Sequence, residues 1–164
     1  MKKKLIKGLS LVEILIVISI FAVIGLLSTR SVFLTLRGAK KSDSLVRVRE
    51  NINYSLAVME RQIRSAQSVT CPNLSPTVLD YVSIEGSQTS FSCTLTGSDR
   101  YIASGSARLT SNDVSLLSCN FSCTQDDINT PPVVRILLEA TDSQITSVEA
   151  GTVTAQTEIV LRNY

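Results

Sequence analysis

Apolar residues are arranged along this chain in three ways, and each arrangement predicts a different element. From Leu9 to Leu27 they form a nearly unbroken run. As a helix that run rises roughly 28 Å, close to the roughly 30 Å hydrocarbon core of a bilayer. Farther on, Leu45, Ile52, Leu56, Met59, Ile63 and Ala66 recur at helical spacing, with Arg47, Glu50, Arg61 and Arg64 on the opposite side. Between Thr29 and Val69 there is no proline and only one glycine, Gly38. The helix is therefore expected to continue to about Val69, with Gly25 and Gly38 as places to bend or melt.

The third arrangement begins near Thr77, where short apolar alternations are broken by Gly, Ser, Asn and Asp. These predict strands at Val78–Ile84, Ser90–Leu95, Arg100–Ala103, Val114–Phe121, Val133–Leu138 and Thr152–Leu161. Turn signals separate them at Glu85-Gly86-Ser87, Thr96-Gly97-Ser98-Asp99, Ser111-Asn112-Asp113 and Asn129-Thr130-Pro131-Pro132. The stripe at 45–66 would also suit a coiled coil, but the strands that follow need a helix to cover their sheet. The expected fold class is α+β: a long N-terminal α-helix, membrane-spanning in its first half and amphipathic in its second, packed on an antiparallel β-sheet domain.

A length of 164 residues suits one core plus the segment outside it. The formal charge is only +2, and the lysines gather at Lys2-Lys3-Lys4, Lys7 and Lys40-Lys41. A nucleic-acid partner thus has little electrostatic support. The chain has no histidine, which removes the usual general base, the Ser-His and Cys-His pairs and the imidazole metal ligand. Asp80, Asp99, Asp113, Asp126, Asp127, Asp142 and Glu149 lie beside turn-forming or small polar residues and read as surface or turn groups. No catalytic constellation emerges, so neither an enzyme nor a cofactor is expected.

The lysines before Gly8 favour a cytoplasmic N-terminus, with the remaining chain on the far side of the membrane. A cleaved secretory signal would have a shorter apolar region ending at a small-residue site, whereas here Gly8 precedes the run. A simple membrane anchor for an extracytoplasmic binding module explains all of this except Glu13. A carboxylate in an apolar span costs about 2.5–3.5 kcal/mol on insertion scales, so it asks for a partner.

The segment Lys7-Gly8-Leu9-Ser10-Leu11-Val12-Glu13-Ile14-Leu15-Ile16-Val17-Ile18 resembles the class III signal of type IV pilins and type II secretion pseudopilins. The resemblance implies a leader at 1–8, removed by a prepilin peptidase after Gly8, with methylation of the new amine on Leu9. It implies a membrane and filament-core helix at 9–28, an amphipathic continuation at 29–70 and a β-rich head at 71–164. Glu13 would then pair with the free amine of a neighbouring subunit during assembly. The implied partners are the peptidase, other pilin or pseudopilin subunits, an inner-membrane assembly platform and, before assembly, membrane lipid. The implied location is the inner membrane, with the head outside the cytoplasm, and then an extracellular or periplasmic filament.

Leu9 stands where the family most often has Phe, and Arg30 where many major pilins have proline. Arg61-Gln62-Ile63-Arg64-Ser65-Ala66 resembles the helix end of larger minor pilins and J-type pseudopilins, and Arg108–Val114 with Val133–Ile136 resembles the same group. These features point to a minor subunit. So does the cysteine distribution, because major pilins often close a C-terminal loop with a disulfide and no cysteine follows Cys123.

Cys71, Cys93, Cys119 and Cys123 all fall in the part expected outside the cytoplasm, an even number in an oxidising compartment. Two disulfides are the natural reading. Cys119 and Cys123 share strand parity and would stand about 13 Å apart if extended, too far to bond unless the chain turns between them. Cross-pairing with Cys71 and Cys93 is favoured, yet three connectivities remain open. Zinc is disfavoured because a Cys-x3-Cys with two distant cysteines lacks tight paired knuckles, and no metal site is expected.

Overall fold

The protein is described by a computed structural model over residues 10–127, 129–145 and 150–162. Helix α1 runs Leu11–Ser65 without interruption, passing through both Gly25 and Gly38. Among the described residues eight strands follow: β1 (Ser68–Val69), β2 (Val78–Val82), β3 (Gln88–Thr94), β4 (Tyr101–Ser104), β5 (Ala107–Arg108), β6 (Val114–Thr124), β7 (Val133–Asp142) and β8 (Thr152–Val160). The chain divides into two compact units, Met1–Lys40 and Lys41–Tyr164. Within the second, the helix packs on antiparallel sheet through a shared core, which makes the architecture α+β.

The helix ends at Ser65 rather than near Val69. Ala66 N–H closes a tight last turn onto the Ile63 carbonyl, and the Ser65 hydroxyl bonds back to Arg61 and Gln62 carbonyls. Beyond it, Gln67 and Thr70 N–H donate to Val82 and Asp80 carbonyls, so strand pairing with β2 takes over the main chain. The buried face of this part of α1 is Ser44, Val48, Ile52, Ser55, Leu56, Met59 and Ile63. Ile52, Met59 and Ile63 are inaccessible, and burying each stabilises by roughly 1.5–3 kcal/mol.

The head holds two antiparallel sheets instead of one: β1-β2-β3-β4-β5 and β6-β7-β8. Between β5 and β6 the main chain leaves the ladder. The Ser111 N–H donates to Asn51 Oδ1 on α1 at 3.1 Å, and Thr110 Oγ1 accepts the Ile102 N–H at 3.3 Å. Hydrogen bonds that would extend the first sheet are thus spent on the helix and the turn.

Strand β6 carries a bulge between Leu116 and Ser118. Val114 and Leu116 face the core before it, and Cys119, Phe121 and Cys123 after it, so one extra residue moves the apolar set from even to odd positions while keeping it inward. Gly86 (φ 80°) and Gly97 (φ 83°) supply the left-handed backbone their turns require, as the turn signals anticipated.

Candidate functional site

Among the described residues the first unit is a helix whose apolar surface is exposed. Ser10 precedes it and accepts hydrogen bonds from the N–H groups of Glu13 (3.0 Å) and Ile14 (3.2 Å) through its carbonyl. Glu13 therefore sits in the first turn, where the positive end of the helix dipole favours an acid. The Ser10-x-x-Glu13 spacing has the form of a capping box, but the bonds made at Ser10 are to its main-chain carbonyl and not between those side chains and the backbone. Among the described residues no side chain pairs with the Glu13 carboxylate. Gly8 and Leu9, the expected cleavage and methylation positions, lie outside the described residues.

Every residue from Ser10 to Ser42 is exposed, including Leu11 (76%) and Phe21 (70%). The helix is apolar on all sides over a stretch long enough to cross a membrane, with a mean hydropathy of 2.7. Three of its hydroxyls bond within the helix itself: Ser19 donates to the Ile16 carbonyl at 2.8 Å, Thr29 to Gly25 at 2.8 Å and Thr35 to Ser31 at 2.9 Å. Internal satisfaction is what a helix needs when its surroundings offer no water.

In the head the four cysteines join as Cys71–Cys123 and Cys93–Cys119, with Cα separations of 5.2 Å and 6.3 Å. Cys93 lies on β3 and Cys119 on β6, so this bond ties one sheet to the other. Cys71, in the loop after β1, ties that loop to β6. The disulfides suit an oxidising compartment.

Asp142 corrects the surface assignment. It closes β7 with only 2% exposure, accepts the Gln144 N–H at 2.8 Å and takes an ion pair from Arg47 at 3.0 Å. Burial pushes its carboxyl up, but the Gln144 amide, the Arg47 guanidinium and the adjacent Ser44 hydroxyl together outweigh burial and hold it below the ordinary carboxylate range. Ser44 lies against it without completing a hydrogen bond. Bonding to Asp142 and attraction to Asp43 raise Arg47 in turn. Asp80, also read as a surface or turn group, instead lies half-buried within β2. Asp99 does stand in a turn region and pairs with Arg108 at 2.8 Å; Glu149 lies outside the described residues. Burial pushes the Tyr81 phenol up; its hydroxyl donates to Gln62 Oε1 at 2.7 Å and ties β2 to α1.

The sequence reading missed Asn73. Its side chain donates to the Phe121 carbonyl at 2.8 Å and accepts the Cys123 N–H at 3.1 Å, seating the β1–β2 loop on β6. Only the neighbouring Cys71 hinted at this. No protein-family model, no curated protein and no solved structure matches the chain.

Proposed function

We propose that this chain is a pilin-type subunit, a minor pilin or minor pseudopilin, cut between Gly8 and Leu9 and assembled through its N-terminal helix into a filament. The observation that carries this reading is the stretch of α1 at 11–27, apolar on all sides and exposed, with one carboxylate, Glu13, in its first turn. An all-round apolar helix is covered either by lipid or by other helices. Lipid alone would cover a plain anchor, but lipid offers nothing to the carboxylate. A cationic amine on the next subunit would, and the pair then offsets a cost that either charge alone would impose.

In this reading a prepilin peptidase and an assembly platform in the inner membrane act on the chain, and the head lies outside the cytoplasm. The disulfide-bonded head supports that placement. The role is structural, in filament assembly or its priming, and in adhesion, motility, secretion or DNA uptake by the assembled fibre.

Mass spectrometry of the mature N-terminus is the direct test, with N-methyl-Leu9 expected. An intact leader in cells that contain the peptidase would favour the simple anchor. Glu13→Ala is expected to insert in the membrane yet be depleted from sheared filaments; incorporation at the wild-type level would remove Glu13 from assembly. A bulky residue at Gly8 should leave the precursor uncut on a gel.

A further inference from the structure

The two sheets have four outer strands, and the chain protects three of them. Strands β1 and β5 are two residues long, too short to template another strand. The outer side of β6 is covered: Phe121 N–H donates to the Pro76 carbonyl at 2.7 Å, Leu116 N–H to Arg100 at 3.3 Å, and Asn73 and both disulfides close the rest. Strand β8 is the exception. Its nine residues pair with β7 on one side only.

Leu161 N–H donates to the Pro132 carbonyl. By the alternation of an antiparallel pair, the main-chain groups of Thr152, Thr154, Gln156, Glu158 and Val160 therefore point to the open side. Among the described residues nothing bonds to them there. The usual protections are missing: Thr152–Val160 contains no lysine, proline, glycine or bulge, and its one charge, Glu158, is engaged by Arg135 at 2.8 Å. Most of its residues are β-branched, which favours strand pairing.

We infer that the open edge of β8 is an interface taken by β8 of a second copy of this chain, antiparallel and centred on Gln156. Evenly spaced alternating N–H and C=O groups are matched in full only by another strand. The register follows from charge and burial. Pairing about Gln156 overlaps all of Thr152–Val160, sets Thr154 opposite Glu158 and keeps the two glutamates apart; pairing about Glu158 would oppose like charges. On the core side of β8, Val153 and Ile159 are buried while Ala155 and Thr157 between them are only half covered. Centring on Gln156 sets Ala155 of each copy beside Thr157 of the other and completes that face. This interface does not depend on the filament reading, because it arises from the head alone.

The test uses the full-length chain in membranes. All four native cysteines are disulfide-bonded, so Gln156→Cys supplies the reactive thiol for a short bismaleimide. A covalent dimer is expected, with little from Asn120→Cys on the exposed face of β6. Adding Thr154→Pro removes an N–H on the open side and spares the β7 ladder, so the melting temperature should hold while dimer yield falls at least tenfold. As a second measurement, Gln156→Lys places like charges across the twofold axis and should convert the wild-type dimer to monomer on sedimentation in detergent. Absence of a Gln156→Cys dimer, a yield indifferent to Thr154→Pro, a monomeric wild type, or an adduct with a different polypeptide would each overturn the inference.

Discussion

Helix α1 from Leu11 to Leu36 and the head from Lys41 onward use the same apolar side chains to opposite ends. In the first, Phe21, Leu26 and Leu34 are all more than half exposed; in the second, Phe121, Leu116 and Leu138 are sealed. The difference lies in what accompanies them. Around Phe121 polar residues alternate with apolar ones, so β6 has a wet face and a dry one and can fold against its own chain. Around Phe21 no polar face exists, and the helix provides no side meant for water. The head covers its own apolar side chains; this part of the helix leaves its apolar side chains exposed.

Four comparisons test that contrast in the full-length chain. The largest effect is expected from Phe121→Ala, about 3–5 kcal/mol of head stability by denaturant or thermal unfolding, whereas Phe21→Ala should leave the head transition unmoved. Equal shifts from the two would erase the distinction. Next comes the pair Cys93→Ser with Cys119→Ser, which frees one sheet from the other and should cost about 2–4 kcal/mol without changing membrane association in a flotation assay.

Asp142→Ala should cost about 1–3 kcal/mol at neutral pH, because the Gln144 N–H and Arg47 lose a buried acceptor. The folded carboxyl lies below its unfolded value near about 3.9, so its stabilisation is complete above that pH and disappears as pH falls through the folded value. Wild type and variant should therefore converge in acid unfolding curves; a constant gap down to the lowest pH would contradict the ion-pair role. The smallest effect is expected from Arg135→Ala, under about 1 kcal/mol, since that cross-strand pair is solvated on both sides. A larger loss would mean that the outer face of the three-stranded sheet is itself covered.

Period and length made α1 legible in advance, since a 3.6-residue pattern needs only near neighbours to be recognised. The six long strands were legible for the same reason. Strands β1 and β5 were not, because two residues carry no period and exist only where a partner strand passes. Val48 escaped the predicted stripe, although it lies one turn before Ile52 on the same face. The extension of β6 to Thr124 and its bulge depended on register with β7.

The apolar run around Glu13 could be read directly as one long helix with the length and composition of a membrane span, because those properties come from adjacent residues. Composition likewise sufficed for an even set of cysteines on a strand-rich head. Pairing Cys71 with Cys123 and Cys93 with Cys119, burying Asp142 against Arg47, splitting the strands into two sheets and leaving β8 open were settled by the folded chain. Each joins residues remote in sequence, and a local pattern contains no record of which distant groups the main chain will bring within bonding distance.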